Sequence, residues 1–219
     1  MLERLIRVYS AARDPDRAVE MSAYMRDQFP FLGIPSPARR ALTRTVVKGL
    51  PRPTQPELQK VVLACWQLPE REFQYFACDW LRANVAVPGP DFLPVVRTLI
   101  TTKSWWDTVD ALATRFVGGL VERHPVLNTE MDRWVADPDL WVARTAILHQ
   151  LHYGSRTDPD RLFGYCTQQA AHPDFFIRKA IGWALRHYAR TDPEAVRRYV
   201  QDHREVLSPL SIREASKHL

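Results

Sequence analysis

The sequence predicts an all-α protein, a right-handed curved solenoid of paired helices. Three observations carry that reading. Capping residues stand directly before prolines at Asp14-Pro15, Ser36-Pro37, Asp137-Pro138, Asp158-Pro159 and Asp192-Pro193, a pairing that favours a first helical turn. Glycine is scarce, with 8 residues against 17 prolines, which suits helices entered through proline better than turn-rich sheets. The segment PDLWVARTAI from Pro138 returns as PDFFIRKAIG from Pro173, 35 residues on, and alternating strand patterns are missing.

Each proline start is followed by apolar residues of helical period. Val19, Met21, Tyr24 and Met25 follow Pro15, and Leu42, Val46 and Val47 follow Pro37. Pro88, Pro90 and Pro94 mark a loop between repeats. Ser104 reads as an N-cap, and Asp107 three residues later completes a capping-box-like pair at the head of TKSWWDTVDALATRFVGG. Leu162, Tyr165 and Cys166 follow Pro159. About a dozen helices of about 10 to 18 residues are expected, joined by short loops. Trp66, Trp80 and Trp134 lie in apolar patterns and are expected in the core, and His149 and His152 are read as structural.

Periods near this length built from helix pairs belong to HEAT-like and armadillo-like arrays. Equivalent positions then line up along one side, often the concave face. Asp110 and Arg144 are 34 apart and Arg144 and Lys179 are 35 apart, so the three are expected to be neighbours, one per repeat. With 219 residues and no interdomain linker, a single domain over residues 1–219 is expected.

Composition narrows the function classes. Hydrophobic residues make up 46%, enough for a real core, and no apolar run approaches membrane-spanning length. The N-terminus MLERLIRVYS has no long apolar stretch, so neither secretion nor a membrane partner is expected. Cys65, Cys78 and Cys166 are scattered, without CxxC or a His/Cys cluster. Neither a metal site nor a disulfide framework is expected, and a reducing cytoplasm fits best. A net charge of +5 is compatible with a polyanionic partner without requiring one.

Two constellations carry chemistry. Trp106 and Asp110 are four apart and share a helix face bordered by Leu112 and Phe116. Asp110 lies too far in to cap the helix. From spacing alone the commoner reading of such a pair is a solvated surface Asp beside a half-buried Trp, ahead of a functional pair. Lys179, Trp183, Arg186 and Arg190 at i, i+4, i+7 and i+11 keep to one face. That stripe is either a nucleic-acid surface of cations around an indole or a charged outer face with Trp183 at the edge of the core. Arg39 and Arg40, at the helix start after Pro37, are placed equally for phosphate contact or ordinary surface.

The run SWWDTVD resembles the catalytic helix of the AlkD-type DNA glycosylases, HEAT-like repeat enzymes that excise alkylated bases. YMRDQFPFLGIPSPARR (Tyr24 to Arg40), LWVARTAILHQL (Leu140 to Leu151) and FIRKAIGWALRHYART (Phe176 to Thr191) resemble the same family in the same order. The resemblance implies that Trp106 and Trp183 flank the damaged nucleotide. It further implies Asp110 as catalytic acid, Arg144 as a cleft arginine and Tyr24 as a tyrosine near the lesion. Arg144, Lys179, Arg186 and Arg190, with Arg39 and Arg40, are then expected to hold the strand.

The implied activity is monofunctional excision of cationic purines (3-methyladenine, 7-methylguanine and bulky N3 or N7 adducts) from double-stranded DNA in base excision repair. The family leaves the lesion in the stack and needs no cofactor or metal. A monomer in the cytoplasm, associated with the nucleoid when bound to DNA, is expected. The residues leave two rivals: a non-catalytic solenoid binding DNA or a protein through the same face, and a peptide-binding adaptor. A carboxylate facing phosphates disfavours the pure DNA binder, and the basic stripe disfavours the peptide adaptor. Asp110→Asn is expected to keep both the fold and the affinity for DNA.

Overall fold

The computed structural model describes residues 1–219, apart from the side chain of His218. It is helical throughout, with no strand among the described residues. The chain forms two compact units, Met1–Val87 and Pro88–Leu219.

The first unit holds α1 (Leu2–Ser10), α2 (Pro15–Tyr24), α3 (Ser36–Val47), α4 (Gln55–Gln67) and α5 (Arg71–Ala83). Its core is aromatic. Tyr9 is fully buried, stacks on Phe73 at 5.7 Å, meets Phe76 edge-on at 6.3 Å, and shares a hydrogen bond of 2.7 Å with the Thr43 hydroxyl. Between α2 and α3 the segment 31–34 is buried without helical hydrogen bonds, so its backbone needs other partners. The buried Glu72 carboxylate supplies them. It accepts from the backbone N–H groups of Leu32, Gly33 and Ile34 at 2.8 to 3.0 Å. The neighbouring Arg71 lies buried over the Phe29 ring at 3.7 Å.

The second unit holds α6 (Leu93–Thr101), α7 (Trp106–Ala111), α8 (Gly118–Arg123), α9 (Asn128–Trp134), α10 (Leu140–Leu148), α11 (Pro159–Gln168), α12 (Phe175–Tyr188), α13 (Pro193–Asp202) and α14 (Pro209–Ala215). A π-helical turn, Leu112–Val117, joins α7 to α8 without a break. Helix α10 packs against α12, and α12 against α14. The helices run from 6 to 14 residues, shorter than expected, because the π turn divides α7 from α8 and 3-10 turns at Pro90–Phe92 and Pro125–Leu127 take up the starts of α6 and α9.

Three of the five proline starts are capped as expected. The side chains of Asp14, Asp158 and Asp192 each accept from the backbone N–H three residues on. Two are corrected. Helix α3 begins at Ser36 itself, with Pro35 at the cap position and no side-chain cap. Before α10 the cap is Asp139, which accepts from Trp141 and Val142. Asp137 instead accepts from the Asp139 N–H and pairs with Arg97 at 2.6 Å. The repeat holds in detail, since Asp174 caps α12 at the position equivalent to Asp139, 35 residues on.

Trp66 and Trp134 are buried, while Trp80 is half-buried and stacks on Phe76 at 6.2 Å. His149 is buried, with Nδ1 at 2.7 Å from the Ala146 carbonyl. Burial pushes its imidazole down to about 4, so it is neutral and structural. The three cysteines are buried free thiols. Among the described residues no helix is long and apolar enough to cross a membrane.

Candidate active site

Helix α7 starts differently from the sequence expectation. The Ser104 hydroxyl donates back to the Ile100 carbonyl at 2.6 Å, and Trp105 occupies the cap position without a side-chain cap. Ser104 therefore closes the end of α6 and does not open α7. Asp107 stays in the first turn of α7, where a carboxylate complements the helix dipole. Asp110 follows one turn after Trp106, and the helix then widens into the π turn. The Thr114 hydroxyl donates to the Asp110 carbonyl at 2.8 Å. Such single π turns occur often beside functional groups. The next turn is clamped from the segment after α10: the Tyr153 hydroxyl donates to the Gly118 carbonyl at 2.7 Å. A β-carbon on Gly118 would lie 2.3 Å from the His149 carbonyl oxygen, so only glycine admits this approach.

Asp110 and Arg144 meet as the repeat spacing predicts. Arg144 Nε donates to Asp110 Oδ1 at 2.7 Å, and Nη2 donates to Oδ2 at 2.8 Å. The fork-on-carboxylate geometry fixes the orientation of the acid. The third Arg144 arm, Nη1, donates to the Phe176 carbonyl at the start of α12. Three successive helical layers, α7, α10 and α12, are thereby tied through one guanidinium. The Arg144 side chain is 3% exposed and that of Asp110 is 16% exposed. Burial pushes the Asp110 carboxyl above the usual aspartate range. The two Arg144 hydrogen bonds and its charge pull the other way, and Asp107 adds to the rise.

Beneath the pair lies an aromatic cluster. Trp105, Trp141 and Phe176 have ring centroids 4.8 to 6.0 Å apart. Trp141 and Phe176 are equivalent residues of the repeat. Position 106 stands 35 residues before Trp141, but its neighbour Trp105 fills that layer. Trp106 is half-buried on α7, and Trp183 is half-buried on α12.

The basic stripe on α12 is partly spent. Lys179 pairs with Glu214 of α14 at 2.8 Å, and Arg186 pairs with the same carboxylate at 3.1 Å. Lys217 joins them at 2.7 Å. Glu214 is buried, and hydrogen bonds from Lys179 and then Lys217 bring its carboxyl down to about 2. Lys179, expected from its spacing beside Asp110 and Arg144, faces Glu214 of α14. Arg190 is exposed.

In the first unit Tyr24, at the end of α2, is 73% exposed. The next two residues but one, Arg26 and Asp27, hold φ of 55° and 56°, a conformation rarely adopted without glycine. Arg40 is exposed, but Arg39 is 7% exposed and pairs with Asp79 at 2.8 Å. Arg39 is therefore a buried brace between α3 and α5, not a surface cation. Arg144 is likewise buried, with its fork bonded to Asp110 and to the Phe176 carbonyl. Glu214, Trp105 and the π turn are not among the features expected from sequence. Only the recurrence of Trp141 as Phe176 could have pointed to the aromatic layer.

Comparisons with known proteins give the family and the fold. A sequence model described as DNA alkylation repair enzyme matches residues 5–219. A solved structure described as "Predicted DNA alkylation repair enzyme from Enterococcus faecalis" is 36% identical. The match covers 94% of this chain and 96% of that one, with a TM-score of 0.88. AlkD2 from Streptococcus mutans is 16% identical, over 83% of this chain and 88% of that one, with a TM-score of 0.63. A second structure, smu.31 from Streptococcus mutans UA159, is 14% identical over 92% and 96%, also at 0.63. These last two share the fold. A search of curated proteins found no match. Matched along nearly its whole length, the chain belongs to the DNA alkylation repair enzyme family.

Proposed function

We propose that the chain, acting as one functional domain over residues 1–219 and as a monomer, is a DNA glycosylase for cationic alkylpurines in duplex DNA. The observation that carries this reading is a partly open carboxylate, Asp110, one helical turn from Trp106 and locked in orientation by Arg144. A purine alkylated at N3 or N7 is positively charged, so it leaves as a neutral base. The deoxyribose then gains oxocarbenium character. A fixed carboxylate stabilises that charge as it develops, and its free lone pairs orient or deprotonate the attacking water.

Trp106 and Trp183 offer indole faces to a cationic sugar or base, worth about 0.5 to 2 kcal/mol each. Arg144 acts as a positioning residue, because its bidentate hold leaves Asp110 one orientation. The reading needs no metal, since the charge that develops is positive and a second cation would oppose it. A backbone-side approach would leave the lesion stacked and admit bulky N3 and N7 adducts. Tyr24, Arg40, Lys179, Arg186 and Arg190 are assigned to contact with the strand.

The rival is a non-catalytic DNA-binding solenoid in which Asp110 and Arg144 merely brace the helices. The buried bidentate pairing favours it. Single-turnover release of 7-methylguanine and 3-methyladenine from duplex DNA, with chelator present, separates the two. The wild type should release free base, and Asp110→Asn should be slower by about 10²-fold or more at a temperature where both are folded. Equal rates would leave the brace as the better reading.

A further inference from the structure

His152 follows α10 and His187 sits in the last turn of α12, at equivalent positions 35 residues apart. Their rings meet edge-on, with centroids 5.4 Å apart and planes at 86°. His152 is exposed and His187 half-buried, the latter hydrogen-bonded to the backbone of Leu151. The charged groups acting on them are all cations. Arg115 from the π turn acts on both rings, and Arg186 and Arg190 act on His187. Arg115 and Arg190 are exposed. Glu214 holds Arg186 from the α14 side. Three successive layers thus bring arginines and two imidazoles together with no carboxylate acting on the rings.

A cation group left without a counter-charge calls for an anion. For a protein of a DNA repair family, that anion is the phosphate backbone. We propose that Arg115, His152, His187 and Arg190 form a phosphate grip on duplex DNA in which the two imidazoles gain protons as phosphate docks. The grip is separate from the Asp110–Arg144 pair and rests only on the reading that this protein binds DNA.

The electrostatics give its direction. In the free protein, partial burial and then the neighbouring arginines hold both imidazoles below the usual histidine value of 6.5, so they are neutral at pH 7. Docked phosphate adds negative charge beside them and raises both. Binding therefore takes up protons, and affinity rises as pH falls towards the raised values. Each imidazole that becomes charged contributes at most tenfold per pH unit.

The test is binding of an undamaged duplex at fixed ionic strength, followed by fluorescence anisotropy from about pH 8 to about pH 5.5. Wild type should tighten about tenfold or more on the descent. His152→Gln/His187→Gln, checked for fold by circular dichroism, should match wild type at the alkaline end and show little tightening. A full wild-type pH dependence in the double variant, or none in wild type, would overturn the grip. Should the double variant fail to fold, Arg115→Ala serves. It should bind more weakly and begin to tighten at a higher pH, because the imidazoles lose a repelling neighbour. Unchanged affinity and onset would count against the proposal. The duplex carries no lesion, so failure of base release would sink the glycosylase reading and leave this one standing.

Discussion

Asp110 and Arg144 form one unit, and each single replacement strands the other charge. Asp110→Asn was expected from sequence to keep the fold, since the position is not a cap. The structure changes that expectation, because the nearly buried Arg144 would lose its carboxylate. The predicted cost is roughly 3 kcal/mol, the low end for breaking a buried pair. Arg144→Gln should cost a similar amount, and the double variant less than the sum of the two. Denaturant melts of the four proteins check this, and strict additivity would refute the coupling. A second prediction follows from the raised Asp110 carboxyl. Only its ionised form supports base release, so the single-turnover rate should fall as pH drops, with the acid limb above the ordinary aspartate value of 3.8. Substrate-saturated rates across the acid range locate that limb, and a limb at or below 3.8 would contradict the burial argument.

Helices α12 and α14 show how one missing side chain sets an interface. A β-carbon on Gly182 would lie 2.5 Å from the Glu214 β-carbon and 2.9 Å from the Ser211 carbonyl oxygen. Gly182→Ala should therefore push α14 away and cost about 1 to 3 kcal/mol, the scale for overpacking. A melting temperature equal to wild type would show that α14 yields freely. The same approach delivers Glu214 to Lys179, Arg186 and Lys217. Its carboxyl is lowered in the folded state, so its contribution to stability is complete above the unfolded value of 4.5 and fades as pH falls towards about 2. Glu214→Gln should thus lose about 1.5 to 3 kcal/mol at neutral pH and converge on wild type in acid. Urea melts at both ends of that range measure the difference, and a gap that does not narrow would remove the ion pairs as its cause.

Each unit carries its own core, and within the second unit the repeat sets which side chains meet. Asp139 and Asp174 cap equivalent helices, the rings of Trp141 and Phe176 meet tilted in one layer, and those of His152 and His187 meet edge-on. The arginines left outside carboxylate pairs among those assigned here are the exposed Arg40, Arg115 and Arg190. Replacing Arg115 and Arg190 together with Ala should flatten the fall of DNA affinity with salt, since each lost phosphate contact removes about one unit of slope. Arg39→Ala should leave that slope unchanged and lower stability, because Arg39 is buried against Asp79. A salt titration of both variants distinguishes them, and a reduced slope for Arg39→Ala would restore it to the DNA surface.

The sequence by itself determined the helical class, the repeat length and the meeting of Asp110 with Arg144. These are periodic properties: a 3.6-residue turn and a 35-residue repeat fix which residues share a face and which repeats align. It also determined the caps Asp14, Asp158 and Asp192, because an Asx side chain reaches its own helix start without help from elsewhere. The tertiary structure decided the rest. Ser104 turned back to Ile100, Asp139 capped in place of Asp137, and the π turn carried Arg115 out beside His152 and His187. Arg39 and Arg144 look like surface cations in the chain, but Asp79 and Asp110 stand 40 and 34 residues away. Glu214 stands 35 residues after Lys179, in SIREA against FIRKA, but only the packing of α14 on α12 turns it to the cations of the stripe and sets their charge. Whether a cation faces water or a carboxylate depends on which distant helix packs over it, and no local pattern encodes that contact.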